Sequence, residues 1–287
     1  MSALTFKKLE DTIENYDLFL FDLWGVIVEG NLIYDGVIDS INKIKNRQNI
    51  KFLTNAPRPN YRIMDKLKSW GIENITAEMI ISSGDIARQL ITEHEKYSSN
   101  DSVKIFHLGA DRNEDILLEI KHEPVTDINS ADILLLSLYR DEHENLIEFD
   151  YLLKATAQKQ DLTIICSNPD TIIPNEGKLR YCSGFFAEII EKNGGKVIYT
   201  GKPKNLIYDK VLELSKDIPK NRILMIGDTF ETDILGARNC GINSALVLTG
   251  NSSPFHKNYD LIEDKLSALS FHADKIGIAP TFVTSIT

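Results

Sequence analysis

Asp22 closes the apolar run DLFLF (17–21) and is followed by LWGV, in which Gly25 permits a tight turn. A carboxylate at such a place can attack an electrophile or hold a metal ion. It can also do no more than cap a turn. Asp228 and Asp233 lie in GDTFETD (227–233), where Gly227 lets the backbone turn after a second apolar run. Asp233 stands just before the helical pattern ILGA, so an N-cap role is the plainer alternative for it. If the three carboxylates converge, they form with water and a phosphate the oxygen-ligand set of a magnesium site. Such an ion would shield the repulsion between an attacking carboxylate and a phosphate.

Thr54 offers a hydroxyl and Asn55 an amide at the end of IKFLT (50–54). Lys202 lies in TGKP, just past KVIYT (196–200), where its ammonium could neutralise a nucleophile and a phosphate together. Read alone, Gly-Lys-Pro is a turn with a solvent-facing lysine.

The elements that must position these groups are short and apolar. DLFLF, IKFLT, VKIFHL (103–108), DILLLSLY (132–139), LTIIC (162–166), KVIYT, RILMI (222–226) and SALVL (244–248) are continuous apolar runs, as expected for strands of a parallel sheet covered on both faces. Between them, Val37, Ile38, Ile41 and Ile44 follow the helical period, as do Ile63, Leu67 and Trp70, and Ile207, Val211 and Leu214. Strands alternating with helices predict βαβ units. The chemistry-bearing residues all fall at carboxyl ends of predicted strands, where open α/β sheets bind ligands. Residues 83–198 read as a second α/β unit inserted between the two halves, 1–82 and 199–287, of the first.

Composition removes several classes of function. The chain has 287 residues, 43% of them hydrophobic and 26% charged, so it can bury a sizeable core and is neither disordered nor fibrous. Its formal charge of −10 and lack of a dense Lys/Arg run argue against nucleic acid or a membrane surface as partner. A small anionic substrate stays compatible, because one local charge can serve it. Cys166, Cys182 and Cys240 lack metal-ligand spacing and suit reduced thiols in a cytoplasmic protein. The first residues show no secretory h-region, and no apolar stretch approaches the ~20 residues of a membrane span.

Taken in order, Asp-x-x-Gly-Val at Asp22, Thr54-Asn55, Gly-Lys-Pro at Lys202 and Gly-Asp-x-x-x-x-Asp at Asp228 and Asp233 resemble the haloacid dehalogenase superfamily. The chain is most similar to subfamily IIA, whose large α/β cap is inserted after the second motif and which includes phosphatases of nucleotides, p-nitrophenol, glycerol and pyridoxal. The likeness runs over about 15–280; CSNPDT (166–171) and GINSALVLTG (241–250) belong to it. It implies a Rossmann-like, doubly wound parallel-sheet core with that cap, acting on a small phosphorylated metabolite. Asp22 would be the nucleophile that forms an aspartyl-phosphate, Thr54 would orient the phosphoryl group with Asn55 beside it, and Lys202 would hold charge at the nucleophile. Asp22, Asp228, Asp233 and the Trp24 carbonyl would make up the magnesium site. Within the cap, Asn168, Pro169 and Asp170 would face the core, with Asn168 and Asp170 binding substrate; a homodimer is a separate expectation.

The sequence departs from that pattern at Trp24, where phosphatases of the family carry a second aspartate that protonates the leaving oxygen and later activates water. An indole can donate a hydrogen bond but cannot shuttle a proton, and general acid–base catalysis contributes ~10²–10⁴-fold. The dehalogenase branch has an aromatic residue here but lacks the carboxylates corresponding to Asp228 and Asp233. A phosphonate-cleaving enzyme would need a cap lysine, and none of Lys104, Lys121 and Lys154 can be assigned to that task. Glu29, Asp35, His107 and Asp111 are substitute proton carriers to consider. The leading expectation is a magnesium-dependent phosphatase with altered proton transfer; the alternative is a catalytically weak phosphometabolite-binding or regulatory protein.

Overall fold

Each of the eight apolar runs contains a strand. The computed structural model describes residues 3–30, 32–94, 102–137, 147–175 and 178–286; Leu138 and Tyr139, at the end of one run, lie outside them. The strands are β1 (Leu18–Phe21), β2 (Val28–Glu29), β3 (Leu32–Ile33), β4 (Asn49–Thr54), β5 (Ile80–Ser82), β6 (Val103–Leu108), β7 (His122–Pro124), β8 (Ile133–Leu136), β9 (Thr163–Cys166), β10 (Ile172–Asn175), β11 (Lys178–Tyr181), β12 (Val197–Tyr199), β13 (Ile223–Gly227), β14 (Asn243–Val247) and β15 (Phe282–Thr284).

Two compact units result, one of 1–54, 63–81 and 202–287, the other of 55–62 and 82–201. The first holds the six-stranded sheet β15-β14-β13-β1-β4-β5. In it β1 runs parallel to both β13 and β4, and β14 parallel to β13 and β15. All four residues of β1 and all five of β13 are buried. Successive side chains on a strand point to opposite faces, so both faces of this sheet are covered. The helix Ile262–Ile276 covers part of one, setting Leu269 and Ala273 against Leu246 and Val283.

The second unit holds the parallel sheet β12-β9-β8-β6-β7. Alternation along β8 shows the two-sided burial directly. Leu134 and Leu136 pack with Phe186, Ala187 and Ile190 of the helix Ser183–Lys192, whereas Ile133 and Leu135 pack with Ala87 and Ile91 of the helix Ser83–Glu93. Burying one such side chain contributes about 1.5–3 kcal/mol. Ser82 starts the helix Ser83–Glu93, its Oγ accepting from the Asp85 N–H at 3.0 Å.

Two details differ from the sequence reading. Segment 55–62 falls in the second unit, because its backbone is bonded there: Arg58 O accepts from Ser82 Oγ at 2.7 Å, Ala56 O from Gly84 N at 3.1 Å, and Arg58 Nη2 donates to Arg112 O at 2.7 Å. Leu214, expected on an apolar helix face, caps the helix Asn205–Glu213 and is 48% exposed. Among the described residues no helix is long and apolar enough to cross a membrane.

Candidate functional site

The six-stranded sheet sets three polar residues side by side. Phe21 is in register with both Ile226 of β13 and Phe52 of β4, so Asp22, Thr54 and Asp228 emerge from neighbouring strand ends. The chain leaves β1 for β4 on one side, and β13 lies on the other. That is the switch point where doubly wound sheets open a crevice.

Asp22, Asp228 and Asp233 meet there, each offering a carboxylate oxygen within 4.8 Å of the others. Lys202 is buried among them, its Nζ 2.7 Å from Asp22 Oδ1 and 2.7 Å from Asp233 Oδ1. The other oxygen of Asp233 accepts from the N–H groups of Asp228 at 3.2 Å and Thr229 at 3.1 Å. Asp233 is therefore no N-cap: it sits inside the wide helical turn Phe230–Ile234 and ties that turn to the lysine. Asp228 Oδ1 accepts from Thr229 Oγ1 at 3.1 Å, and Oδ2 from the Asn251 N–H at 2.6 Å. Tyr208 Oη donates to the Asp233 carbonyl at 3.3 Å.

Two glycines make room for the Asp228 carboxylate. A Cβ on Gly25, at φ +84°, or on Gly250, at φ +58°, would collide with it. Gly250 and Asn251 were not singled out from the sequence as site residues, although they end and follow the stretch GINSALVLTG. Nor was Thr249, whose Oγ1 donates to the Gly25 carbonyl at 2.5 Å and so fastens the two glycine loops together. A Thr-Gly pair at the carboxyl end of β14, beside β13, was the available signal.

If all three carboxylates were ionised, the single ammonium would leave a net charge of −2 in this buried place. Burial, reinforced by the neighbouring carboxylates, pushes the carboxyl groups of Asp22 and Asp228 above their usual range. Burial also works against the Lys202 ammonium, but Asp22 and Asp233 outweigh it and hold the lysine protonated. Leaving buried charge of one sign uncompensated is costly. A divalent cation on the all-oxygen donors Asp22 and Asp228 would supply the missing charge, so the residues present fit magnesium. Asp233 fits less well as a direct ligand, because one of its oxygens meets the Lys202 ammonium and the other accepts from two N–H groups, whereas the bonds to the Asp228 oxygens come from one neutral donor each.

The remaining sequence candidates are placed as follows. Thr54 is buried at the end of β4. Asn55, Asn168 and Asp170 lie together in the second unit: Asn55 Nδ2 donates to Asp170 Oδ1 at 2.9 Å, and the Asp170 N–H to Asn168 Oδ1 at 3.1 Å. Trp24 is 44% exposed and is not a core aromatic. Glu29 accepts from Tyr34 Oη at 3.1 Å, and Asp35 and Asp111 are exposed. His107 Nε2 is 2.8 Å from Ser137 Oγ within the second unit. Lys121 and Lys154 are exposed, and Lys104 is half-buried on β6.

Known proteins resemble this chain in sequence and in fold. A haloacid dehalogenase-like hydrolase model matches residues 19–122, and a HAD-hydrolase-like model matches 199–276. An acid sugar phosphatase of Staphylococcus haemolyticus is 26% identical over 242 residues, 83% of this chain and 87% of that protein. A haloacid dehalogenase-like hydrolase of Brucella suis has a similar structure, with a TM-score of 0.75 and 26% identity over 97% of this chain and 98% of its own. A possible sugar phosphatase of Cytophaga hutchinsonii superposes with a TM-score of 0.78 and 25% identity over 99% and 98%. The chain belongs to the haloacid dehalogenase superfamily. Within it, the chain falls among the capped, phosphatase-like hydrolases of subfamily IIA.

Proposed function

We propose that the chain is a magnesium-dependent phosphatase of small phosphorylated metabolites, with Asp22 as nucleophile and the second unit as its cap. The observation that carries this reading is the buried cluster of Asp22, Lys202, Asp228 and Asp233 at adjacent strand ends. An Asp22 oxygen attacks phosphorus, the ester P–O bond breaks, and the leaving oxygen keeps the bonding electron pair. Water then attacks the phosphorus of the aspartyl-phosphate, releasing phosphate and restoring the Asp22 carboxylate. Lys202 stays protonated throughout and offsets charge at Asp22. Thr54 orients the phosphoryl group, and Asp233 holds Lys202 and the Asp228 loop in place. Asn55, Asn168 and Asp170 belong to substrate binding in this reading. Magnesium, when bound by Asp22, Asp228 and the Trp24 carbonyl, would supply positive charge against that of the phosphate.

Trp24 favours a second reading. It cannot give a proton to a leaving alkoxide, so turnover of ordinary esters is slow, and in the limit the chain binds phosphometabolites more than it hydrolyses them. Both readings are tested by measuring phosphate release from sugar phosphates with and without magnesium, beside D22N, together with calorimetric titration of magnesium into wild type and D228N. The proposal expects magnesium-dependent release lost in D22N and weaker magnesium binding in D228N. Tight substrate binding without release would favour the second reading.

A further inference from the structure

We propose that Trp24, steadied by Trp70, is a stacking platform for the leaving group, so that the site prefers phosphate esters of acidic hydroxyls on aromatic rings. This rests on the phosphatase reading above and names its substrate class.

The first observation is placement. Asp22 belongs to the acid cluster, and Gly25 lies so close to Asp228 that a Cβ there would collide. Trp24 is between them, its Cα one ~3.8 Å step from that of Gly25. The second is exposure. The loop turns its neighbours inward, with Leu23 at 0%, Val26 at 1% and Ile27 at 0%, yet leaves Trp24 44% exposed. An indole is among the largest apolar groups a fold can bury, so a loop that covers its aliphatic residues and not this one is holding the ring out. The third is support. Trp70 meets Trp24 edge to face, with centroids 6.3 Å apart and planes at 78°. Lys66 sits over Trp70, its Nζ 5.3 Å from the ring centroid. An edge-to-face contact engages at most one face of a ring, so Trp70 fixes Trp24 while leaving it a face for a planar ligand.

The chemistry points the same way. With no carboxylic acid at position 24, that residue gives the departing oxygen no proton, which favours esters whose oxygen leaves readily as an anion. An aryl oxide does so readily: the P–O bond breaks, the ring oxygen keeps the electron pair, and solvent supplies its proton afterwards. The same substitution that removes a proton donor therefore adds a flat apolar surface, and both favour the same esters. Stacking on an aromatic side chain changes affinity by roughly 5- to 150-fold.

The test uses the fact that the chain has only two tryptophans, Trp24 and Trp70. With magnesium present, phenylphosphonate is expected to quench the indole fluorescence saturably, and methylphosphonate is not. The quench should survive in W70F, where Trp24 is the sole reporter, and disappear in W24F. In steady state, the ratio of kcat/KM for phenyl phosphate over glycerol phosphate should fall ~10-fold in W24A and be largely kept in W24F. Equal quenching by the two phosphonates, no quench in W70F, or an unmoved ratio in W24A would overturn the platform. If wild type releases phosphate from neither ester, the phosphatase reading fails, and the fluorescence arm still decides the platform by itself.

Discussion

Lys202 holds its ammonium 2.7 Å from Oδ1 of Asp22, in a place where the lysine side chain is 2% exposed. Asp233 takes the same ammonium at 2.7 Å, so one cation serves the proposed nucleophile and the residue that orders the Asp228 loop. Lys202→Met is expected to destabilise the protein by about 3–5 kcal/mol, the usual cost of orphaning a buried ionic partner. Turnover should fall by at least ~10². The stability term is read from the urea midpoint at pH 7; an unmoved midpoint would mean that the carboxylates do not depend on the lysine.

Gly25→Ala should cost about 1–3 kcal/mol and weaken magnesium binding ~10-fold or more, because the added Cβ must displace the Asp228 carboxylate. Gly30→Ala is the control. Gly30 also has positive φ, at +60°, but a Cβ there meets nothing within 4 Å. Calorimetric magnesium titration should separate the two variants; similar loss in both would assign the effect to backbone strain alone.

Trp24→Asp places a carboxyl group two residues after the proposed nucleophile, within reach of the role of proton carrier. Because Trp24 is already 44% exposed, its removal leaves little buried cavity and the loop should hold. With glycerol phosphate, a poor leaving group, kcat is expected to rise ~10-fold or more. With phenyl phosphate, KM should rise as well, since the platform is gone. A drop in kcat for both substrates, in a variant that melts like wild type, would point to a different proton carrier.

Arg222 grips Asp17 with two bonds, Nε to Oδ2 at 2.9 Å and Nη2 to Oδ1 at 2.6 Å, and holds its carboxyl below the usual carboxylate range. A carboxyl with a lower pKa when folded adds stability above its unfolded pKa and loses it as pH falls through the folded value. Asp17→Asn should therefore reduce stability at pH 6 and flatten its decline below about pH 4. Melting temperatures across pH 2.5–6 check this; parallel curves for the two proteins would contradict it.

Much of the fold is readable from the chain itself. Leu18–Phe21 and Ile223–Gly227 are uniformly buried, and a strand covered on both faces must be apolar at every position. The short strands β5, β7 and β15 were not legible, because three residues cannot show a period, whereas three-residue β12 lies within the longer apolar run KVIYT. At the site, the types and strand-end positions of Asp22, Asp228 and Lys202 suggested their chemistry. What the sequence could not show was how each oxygen is used. Asp233 spends both oxygens on Lys202 and two backbone N–H groups, and the Asn251 N–H reaches Asp228 from a different loop. Backbone donors carry no side-chain signature, so Asn251 could not be picked out by residue type. Trp24 was conspicuous by type, but its exposure and its contact with Trp70 depend on tertiary packing.

The most direct test of the account is to trap the covalent intermediate. Wild type and D22N are mixed with phosphate-labelled phenyl phosphate and magnesium, quenched in acid within one turnover, and digested for mass spectrometry. The account predicts an acid-stable, hydroxylamine-labile phosphoryl group on Asp22 in wild type and none in D22N, with phosphate release abolished in the variant. Phosphate release by D22N at the wild-type rate, or a phosphoryl group on another residue, would contradict it.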